Sequence, residues 1–270
     1  MSKIMKQLLL IISIFFLAEL SYGQEIESIK KEAEKAKSQR ENNTKPGTHS
    51  DTRNHTDNRQ SLNEGGSGLG GFCFNLLGGL IYTANGNYNS RQVERGVYRN
   101  KGFEFDLRSG FEPANLNLYS GRLAYNTGVF SFDCRLNNFV QRNSKGSISS
   151  MNTFDIRFLQ INFINNKHFN LRLGAGAYFD PIGVDWAMYS GSADYYFKDR
   201  FQLGFEYLYA GNSGIKAREE MNFKLAYALI NLAKIRLDAL VFGMSQTYYG
   251  KIHVNTFGVG VNIRPNFGIH

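Results

Sequence analysis

The sequence predicts an all-β fold, an antiparallel up-and-down transmembrane β-barrel of about ten strands, with eight to twelve as the range. From residue 102 onward, apolar and polar residues alternate with a period of two in one segment after another. Tight turns between these segments alternate with longer connections. No stretch after the N-terminal region approaches the roughly 18 consecutive apolar residues of a membrane-spanning helix.

The predicted strands have the length that a barrel strand needs to cross a bilayer, about 9–11 residues. In the first of them, Phe103, Phe105 and Leu107 share one face while Glu104 and Asp106 share the other. Seven strands are clear and three are weaker, in chain order 103–111, 116–125 (weaker), 129–139, 153–163, 169–179, 185–197 (weaker), 201–209, 221–229, 235–243 and 252–263 (weaker).

The connections indicate the orientation of the barrel. Short turns are expected at 126–128, 165–168, 198–200 and 230–234, and longer loops at 140–152, 210–220 and 244–251. Only the brief link 112–115 departs from this alternation. Outer-membrane barrels place their short turns in the periplasm. Both barrel termini are therefore expected there, with the longer loops as the interacting surface.

The apolar face of the strands points to lipid in a membrane barrel and inward in a soluble periplasmic β-protein, which stays an alternative. Aromatic residues cluster near strand ends, as at 195–197 and at Tyr207, Tyr209, Tyr248 and Tyr249. Such clusters are typical of interfacial girdles. The sequence therefore favours the membrane barrel.

The N-terminus predicts export. Lys3 and Lys6 precede an apolar run at 8–17, and the small residues Ser21 and Gly23 precede a cut before Gln24. This is the pattern of a cleaved secretory signal peptide over residues 1–23. Together with the barrel pattern it predicts the outer membrane as the destination.

Two segments lie between the signal peptide and the barrel domain, which is assigned to 102–270. Residues 24–71 are charged and polar, and a disordered periplasmic linker is expected, with at most a solvated, marginal helix over 24–40. Residues 72–101 contain an apolar stretch at 72–83 for which an extra strand, a short helix and a plug remain open.

The polar face of the strands predicts a charged lumen. A barrel of this size is just wide enough for its side chains to fill it, so these charges are expected to pair and stiffen the barrel. A narrow channel for small solutes or ions is the alternative. The predicted lumen residues are Glu104, Asp106, Arg108, Asp133, Arg135, Asp155, Arg157, Arg172, Glu206, Lys224, Arg236 and Asp238.

No catalytic, cofactor or metal site is expected. The five histidines are His49, His55, His168, His253 and His270, and no G-x-S-x-G or metal-ligand spacing accompanies them. The role expected instead is structural or surface-interacting. A disulfide between Cys73 and Cys134 and a lipid-facing Cys134 both remain open.

The expected partners follow from export and charge. The formal charge of +8 is scattered among strands and loops, which suits lipopolysaccharide phosphates and argues against nucleic acid. Outer-membrane lipid, the barrel-assembly machinery and an unidentified surface or periplasmic protein complete the expected partners.

The strand pattern over roughly 102–263 resembles the small outer-membrane β-barrel proteins of Gram-negative bacteria, including those of the OmpA/OmpW type. The resemblance rests on pattern and on no specific motif. The chain ends without the terminal aromatic residue that such proteins often use as an assembly signal, although Phe267 lies close to the end. Gln24 after the cut and a body rich in Asn and Tyr resemble proteins of Bacteroidota.

Overall fold

The computed structural model describes residues 25–44, 101–112, 115–142, 146–165, 168–197, 200–212, 214–232 and 235–265. The predicted signal peptide and the apolar segment at 72–83 lie outside these ranges. So do Cys73, His49, His55 and His270.

Ten strands form one closed antiparallel barrel. Each strand pairs with its sequence neighbours, and β1 pairs with β10 to close the sheet. The predicted fold class is therefore confirmed, and each predicted strand overlaps an observed one. The elements are α1 Glu25–Thr44, β1 Lys101–Glu112, β2 Leu116–Thr127, β3 Phe130–Arg142, β4 Ile148–Asn165, β5 Phe169–Phe179, β6 Asp185–Phe197, β7 Phe201–Asn212, β8 Ile215–Asn231, β9 Ile235–Tyr248 and β10 Ile252–Pro265.

The two faces of the sheet are occupied as in a membrane barrel. In β7, Gln202 and Glu206 point into the lumen and are 2% and 7% exposed, whereas Leu203 and Phe205 point outward and are 52% and 37% exposed. Successive side chains of a strand lie on opposite faces, so a period of two in the sequence becomes a polar interior and an apolar exterior. Closure leaves no strand edge unpaired.

The two ends of the barrel differ. We call the end with the β1–β2, β3–β4, β5–β6, β7–β8 and β9–β10 connections the mouth. The opposite end, where β1 begins and β10 ends, is the base.

The prediction of long loops at the mouth is wrong. β3 continues to Arg142 and β4 begins at Ile148, so most of 140–152 is strand. The same holds for 210–220 and 244–251, where β8 begins at Ile215 and β9 continues to Tyr248. Polar side chains such as Arg142 and Asn152 face outward here and are exposed. These stretches therefore resemble loops in composition, although they are hydrogen-bonded to neighbouring strands.

The alternation inverts near the mouth. There the inward-facing residues are apolar and fully buried, while the outward-facing ones are polar. The buried apolar set is Leu116, Leu118, Phe139, Met151, Tyr178, Trp186, Met188, Leu208, Ala210, Ala217, Tyr248 and Val254. The mouth is thus built like a small soluble barrel with an apolar core.

Helix α1 occupies this apolar mouth, and the expectation of a solvated helix in a disordered linker is wrong for residues 25–44. Ile26, Ile29 and Ala33 are 0% exposed and Ala36 is 4% exposed. These four positions form one helical stripe. The stripe is weak in sequence because half of it is alanine, and its partner surface comes from distant strands. None of the described helices is long and apolar enough to cross a bilayer.

The position of α1 conflicts with the expectation that the linker and the barrel termini lie on the same side of the membrane. Residues 25–44 lie at the mouth, whereas β1 begins at the base. In a barrel that crosses a membrane, residues 25–44 and the described ends of the barrel, Lys101 and Pro265, therefore lie on opposite sides of it.

Candidate functional site in the barrel lumen

The structure places all twelve predicted lumen residues on the inner face of the barrel. Nine of them are buried: Asp106, Asp133, Arg135, Asp155, Arg157, Arg172, Glu206, Arg236 and Asp238. Glu104, Arg108 and Lys224 are partly accessible. Most of these side chains form two ion-pair clusters, one below the mouth and one near the base, while Asp106 and Arg108 of β1 pair with each other at 2.6 Å.

The cluster below the mouth is organised around Arg135 on β3. Its guanidinium Nη2 lies 2.7 Å from Asp155 on the neighbouring strand, and its Nη1 lies 2.6 Å from Glu220 on β8. Nη2 also donates to the second oxygen of Glu220 at 3.0 Å. Arg218 reaches Asp155 at 2.8 Å from β8. Since β3 and β8 are not neighbours, these bonds cross the lumen and tie opposite walls together.

Glu206 on β7 extends the same cluster. It lies 2.9 Å from Arg157 on β4 and 3.2 Å from Arg122 on β2. Both arginines also bind Asp133, at 2.5 Å and 2.6 Å. Two carboxylates from different walls thus share two arginines, and the pairing spans the middle of the lumen.

The cluster near the base contains Asp194, which binds Arg172 at 2.7 Å and Lys224 at 3.3 Å. Asp238 on β9 binds Arg236 at 2.7 Å and also binds Arg264 on β10. The Arg172 and Arg264 bonds each join two neighbouring strands, the Lys224 bond spans from β8 to β6 across β7, and the Arg236 bond lies within β9.

Five further charged residues belong to the clusters although the sequence pattern did not single them out. Arg218 and Glu220 lie in the stretch 210–220, which the sequence predicts to be a loop. The alternation of polar and apolar residues in this stretch is therefore not used to place side chains in the lumen. Arg122 and Asp194 lie in two of the weaker predicted strands, and Arg264 follows the predicted end of the last strand. Extending the period-two pattern through these stretches would have found them.

A small cavity separates the two clusters. Four cationic side chains and two carboxylates line it, together with Ser192 and Asn222: Arg108, Arg122, Arg172, Lys224, Asp194 and Glu206. Its volume is about 10 Å³, which is room for roughly one water molecule. The side chains that line this cavity leave little free space among themselves.

Polar bonds attach α1 to the mouth at both ends of the helix. The backbone N–H of Ile26 donates to Gln141 at 3.2 Å. Near the other end, Arg40 donates to the carbonyl oxygen of Asp185 at 2.6 Å, and its guanidinium lies 5.6 Å from the centre of the Trp186 ring.

The middle of α1 is held by an ion pair, in which Lys251 lies 2.7 Å from Glu32. Hydrogen bonds from Lys251 and Lys35 lower the pKa of Glu32 to about 2. Contacts along the whole length of α1 therefore keep the helix in register with the barrel.

The described histidines are not near any charge cluster. His168 lies in a turn at the base, where its Nδ1 is 3.3 Å from the carbonyl oxygen of Tyr196. His253 faces outward at the mouth beside Thr247, at 2.9 Å. Within the described ranges, no group of three or more His, Cys, Asp or Glu side chains could hold a metal ion. Cys134 faces outward on β3 and is partly buried.

No protein-family profile matches the sequence, and no curated protein matches it either. Among solved structures the chain is similar to the KdgM porin, at 14% identity over 60% of this chain and 98% of that chain, with a TM-score of 0.36. It is also similar to the N-terminal β-barrel domain of Pseudomonas aeruginosa OprF, at 13% identity over 61% and 97% of the two chains, with a TM-score of 0.29. A third is the anion-selective porin from Comamonas acidovorans, at 15% identity over 55% and 48%, with a TM-score of 0.27. At these identities and TM-scores the similarities carry no argument about what this chain does.

Proposed function

We propose that this chain is an outer-membrane β-barrel protein that is closed to solutes and has a structural or surface-interacting role. The observation that carries the proposal is a lumen filled by buried ion pairs that cross from wall to wall. The proposal includes export through a signal peptide that is cleaved before Gln24.

The outer face supports a membrane location. Large apolar side chains on many strands face outward and are exposed, among them Leu107 at 56%, Phe158 at 56% and Val259 at 61%. A continuous apolar ring of this kind is much larger than the apolar patches that soluble monomers expose. Lipid is the environment in which such a ring is stable.

The height of the ring fits a bilayer. On β7 the outward apolar face extends from Phe201 to Tyr209. Eight residue steps along a strand at the usual tilt correspond to about 20 Å along the barrel axis, near the roughly 25 Å band of outer-membrane barrels.

An aromatic girdle marks the base side of the ring. Phe103 and Tyr125 have ring centres 4.8 Å apart, and Phe201 lies 4.9 Å from Phe197 and 5.0 Å from Tyr227. Aromatic rings prefer the boundary between lipid and water. The outward polar residues at the mouth lie beyond the other boundary, which supports a mouth that projects from the membrane on the cell-surface side.

A closed lumen follows from the cost of separating the pairs. An ion that entered the cluster around Arg135 and Glu206 would have to displace several charge-assisted bonds at once, and each partner would be left buried and unpaired. Helix α1 closes the mouth above this cluster. The exposed face of α1 and the polar rim are then the surfaces available to lipopolysaccharide or to a protein partner.

Recording current across planar bilayers tests the closed barrel. We expect no current above background from the refolded protein, whereas a variant carrying Arg122→Ala, Arg135→Ala and Arg157→Ala should conduct because the central cluster is removed. Reproducible current steps from the unmodified protein would instead establish a channel, with anion selectivity expected from the four cationic side chains at the small cavity.

Two further measurements test the location. Recovery in the outer-membrane fraction with heat-modifiable migration is expected, and recovery in the soluble periplasmic fraction would establish the soluble alternative.

In intact cells, a membrane-impermeant maleimide should label Ser38→Cys, since Ser38 lies on the exposed face of α1. The same label should not reach a cysteine placed at Arg200, in a turn at the base. Labelling of the base cysteine alone would reverse the proposed orientation.

A further inference from the structure

The small cavity between the two ion-pair clusters has a positively charged lining. Two carboxylates and four cationic side chains line it: Asp194, Glu206, Arg108, Arg122, Arg172 and Lys224. Asp194 is shared by two of the cations, since Arg172 lies 2.7 Å and Lys224 3.3 Å from it. Glu206 is likewise bound by two arginines, at 2.9 Å and 3.2 Å. Both carboxylates are therefore already engaged, and the lining keeps a surplus of positive charge.

The same surplus is found in the whole lumen below the mouth. The twelve residues predicted for the lumen contain six acidic and six basic side chains, so their charges cancel. The five further charged residues of the clusters add three positive charges and two negative ones: Arg122, Arg218, Arg264, Asp194 and Glu220. Buried charges are stable when they are balanced, so this set calls for one more negative charge.

Hydrogen-bond donors are in excess at the cavity as well. Arg122 binds Asp133 and Glu206 through its two Nη atoms, but its buried Nε has no hydrogen-bond partner. The side chain of Arg122 is 9% exposed. The hydroxyl oxygen of Ser192 accepts a hydrogen bond from Arg172 at 3.1 Å, which leaves the hydroxyl hydrogen to be donated. A buried donor normally has an acceptor, so these groups favour an occupant that only accepts hydrogen bonds.

The wall of the barrel holds Lys224 beside this space. Lys224, Gly204 and Asp194 are paired neighbours on β8, β7 and β6, so the lysine side chain crosses β7 to reach the carboxylate. A Cβ on Gly204 would lie 2.5 Å from Cε of Lys224 and 2.7 Å from the carboxylate of Asp194. Glycine at this position therefore gives the lysine its path over β7.

The size of the cavity limits the occupant to one small particle. Its volume of about 10 Å³ is room for roughly one water molecule. A chloride ion is only slightly larger than water, whereas sulfate, phosphate and carboxylates would displace the lining side chains. A cation would meet four positive side chains. Chloride thus fits the charge, the donors and the size of the space.

We propose that this cavity binds one chloride ion, which serves as a fixed counterion of the lumen. Arg122 belongs to the cluster below the mouth, and Arg172 and Lys224 belong to the cluster near the base, so the ion joins the two clusters. Ser192 donates to it from the wall. The inference goes beyond the proposed function, because it needs the fold of the lumen and does not need the outer-membrane location.

Urea unfolding of the full chain, refolded in a nonionic detergent, measures the ion by its effect on stability. Gluconate, which is too large for the cavity, replaces chloride at constant ionic strength over a roughly hundredfold range of chloride concentration. Because the folded barrel binds the ion and the unfolded chain does not, the equilibrium constant for unfolding should fall about tenfold for each tenfold rise in chloride above the Kd. An unfolding equilibrium that does not depend on chloride would show that the cavity holds water, and would overturn the proposal.

Asn222→Asp places a fixed carboxylate at the cavity with almost no change in side-chain volume. Asn222 lines the cavity, is 4% exposed, and its Oδ1 has no hydrogen-bond partner. In this variant we expect the unfolding equilibrium to change less than twofold over the whole range of chloride, because the carboxylate replaces the ion. Asn152→Asp, the same change on the exposed outer face, should keep the full dependence. Equal chloride dependence in the two variants would place the ion elsewhere and would overturn the proposal.

Ser192→Ala tests the same site without adding a charge. Loss of one hydrogen bond to the ion should raise the chloride concentration needed for half of the effect by about tenfold. An unchanged concentration would contradict a site that includes Ser192.

Bromide in place of chloride locates the ion directly. We expect crystals of the unmodified barrel grown in bromide to show an anomalous-scattering peak in the cavity, and crystals of Asn222→Asp to show none there. A cavity without a peak in the unmodified barrel would overturn the proposal. Current across planar bilayers is a separate measurement: a barrel that conducts but keeps its chloride dependence would refute the closed lumen and support the ion site.

Discussion

Replacing Arg135 by methionine should destabilise the barrel far more than removing an outward-facing charge at the rim. Arg135 is 3% exposed and binds Glu220 through two nitrogens and Asp155 through a third contact. Methionine fills much of the same volume without the charge. Removing one partner of a buried ion pair costs about 3–5 kcal/mol, because the other charge stays buried.

The partners that remain place the expected cost at the lower end of this range. Asp155 keeps two contacts of 2.8 Å with Arg218, and Glu220 keeps a bond of 2.7 Å from Gln246. We therefore expect the free energy of unfolding to fall by about 3 kcal/mol. If Glu220 is also changed to methionine, part of this loss should be recovered, since no uncompensated carboxylate remains.

Urea unfolding in lipid or detergent measures this change, with the fluorescence of the single tryptophan, Trp186, as the signal. Trp186 lies in the mouth and is 1% exposed, so unfolding transfers it to water or lipid. Arg142→Gln, which removes an outward-facing charge at the rim, is the control and should leave the midpoint unchanged. If the free energy of unfolding of Arg135→Met falls by less than about 1 kcal/mol, the ion pairs of the lumen are neither shielded from water nor dependent on one another, which would refute this reasoning.

Two other perturbations test the mouth and the packing of the wall. The pKa of Glu32 is depressed from 4.5 to about 2, so its pair with Lys251 stabilises docked α1 above pH 4.5 and this stabilisation is lost as the pH falls toward 2. Lys251→Gln should move the acid release of α1, followed by tryptophan fluorescence, to higher pH, whereas Lys216→Gln should not; an unchanged midpoint would contradict the role of the pair. Gly258→Ala should destabilise the barrel by about 3 kcal/mol, because its Cβ would lie 2.1 Å from a carbonyl oxygen of β1, while Gly121→Ala, whose nearest neighbour would be 3.7 Å away, should be tolerated. Equal free energies of unfolding for the two alanine variants would contradict this, because they would mean that β10 can move away from β1 to make room for the Cβ without loss of stability.

The positions of the strands could be predicted because strand periodicity is a local property. Phe103, Phe105 and Leu107 lie two residues apart, and no knowledge of distant residues is needed to place them on one face. The same rule assigned Asp133 and Arg157 to the lumen. It did not assign Arg218 and Glu220. The outward side chains of 210–220 are polar, so the composition of this strand segment resembles that of a loop.

Which charges meet could not be predicted. Arg135 and Glu220 are 85 residues apart, and their contact depends on the register of every intervening strand. Register follows from turn geometry and strand pairing over the whole sheet, including the shifts in β4 at Ile156/Leu159 and Asn162/Ile164. A pattern of alternating charges gives the face of each residue and leaves its partner undetermined.

The docking of α1 shows a second limit of sequence patterns. The stripe of Ile26, Ile29, Ala33 and Ala36 is too weak to distinguish a packed helix from a solvated one. Its meaning depends on the inversion of the barrel strands at the mouth, where Phe139 and Leu208 turn inward although the same strands carry polar residues inward lower down. Both features are weak in isolation, but each requires the other, since an apolar mouth open to water and an apolar stripe without a partner would both be unfavourable. The coincidence of the two over the same end of the barrel is therefore stronger evidence for a closed mouth than either pattern alone.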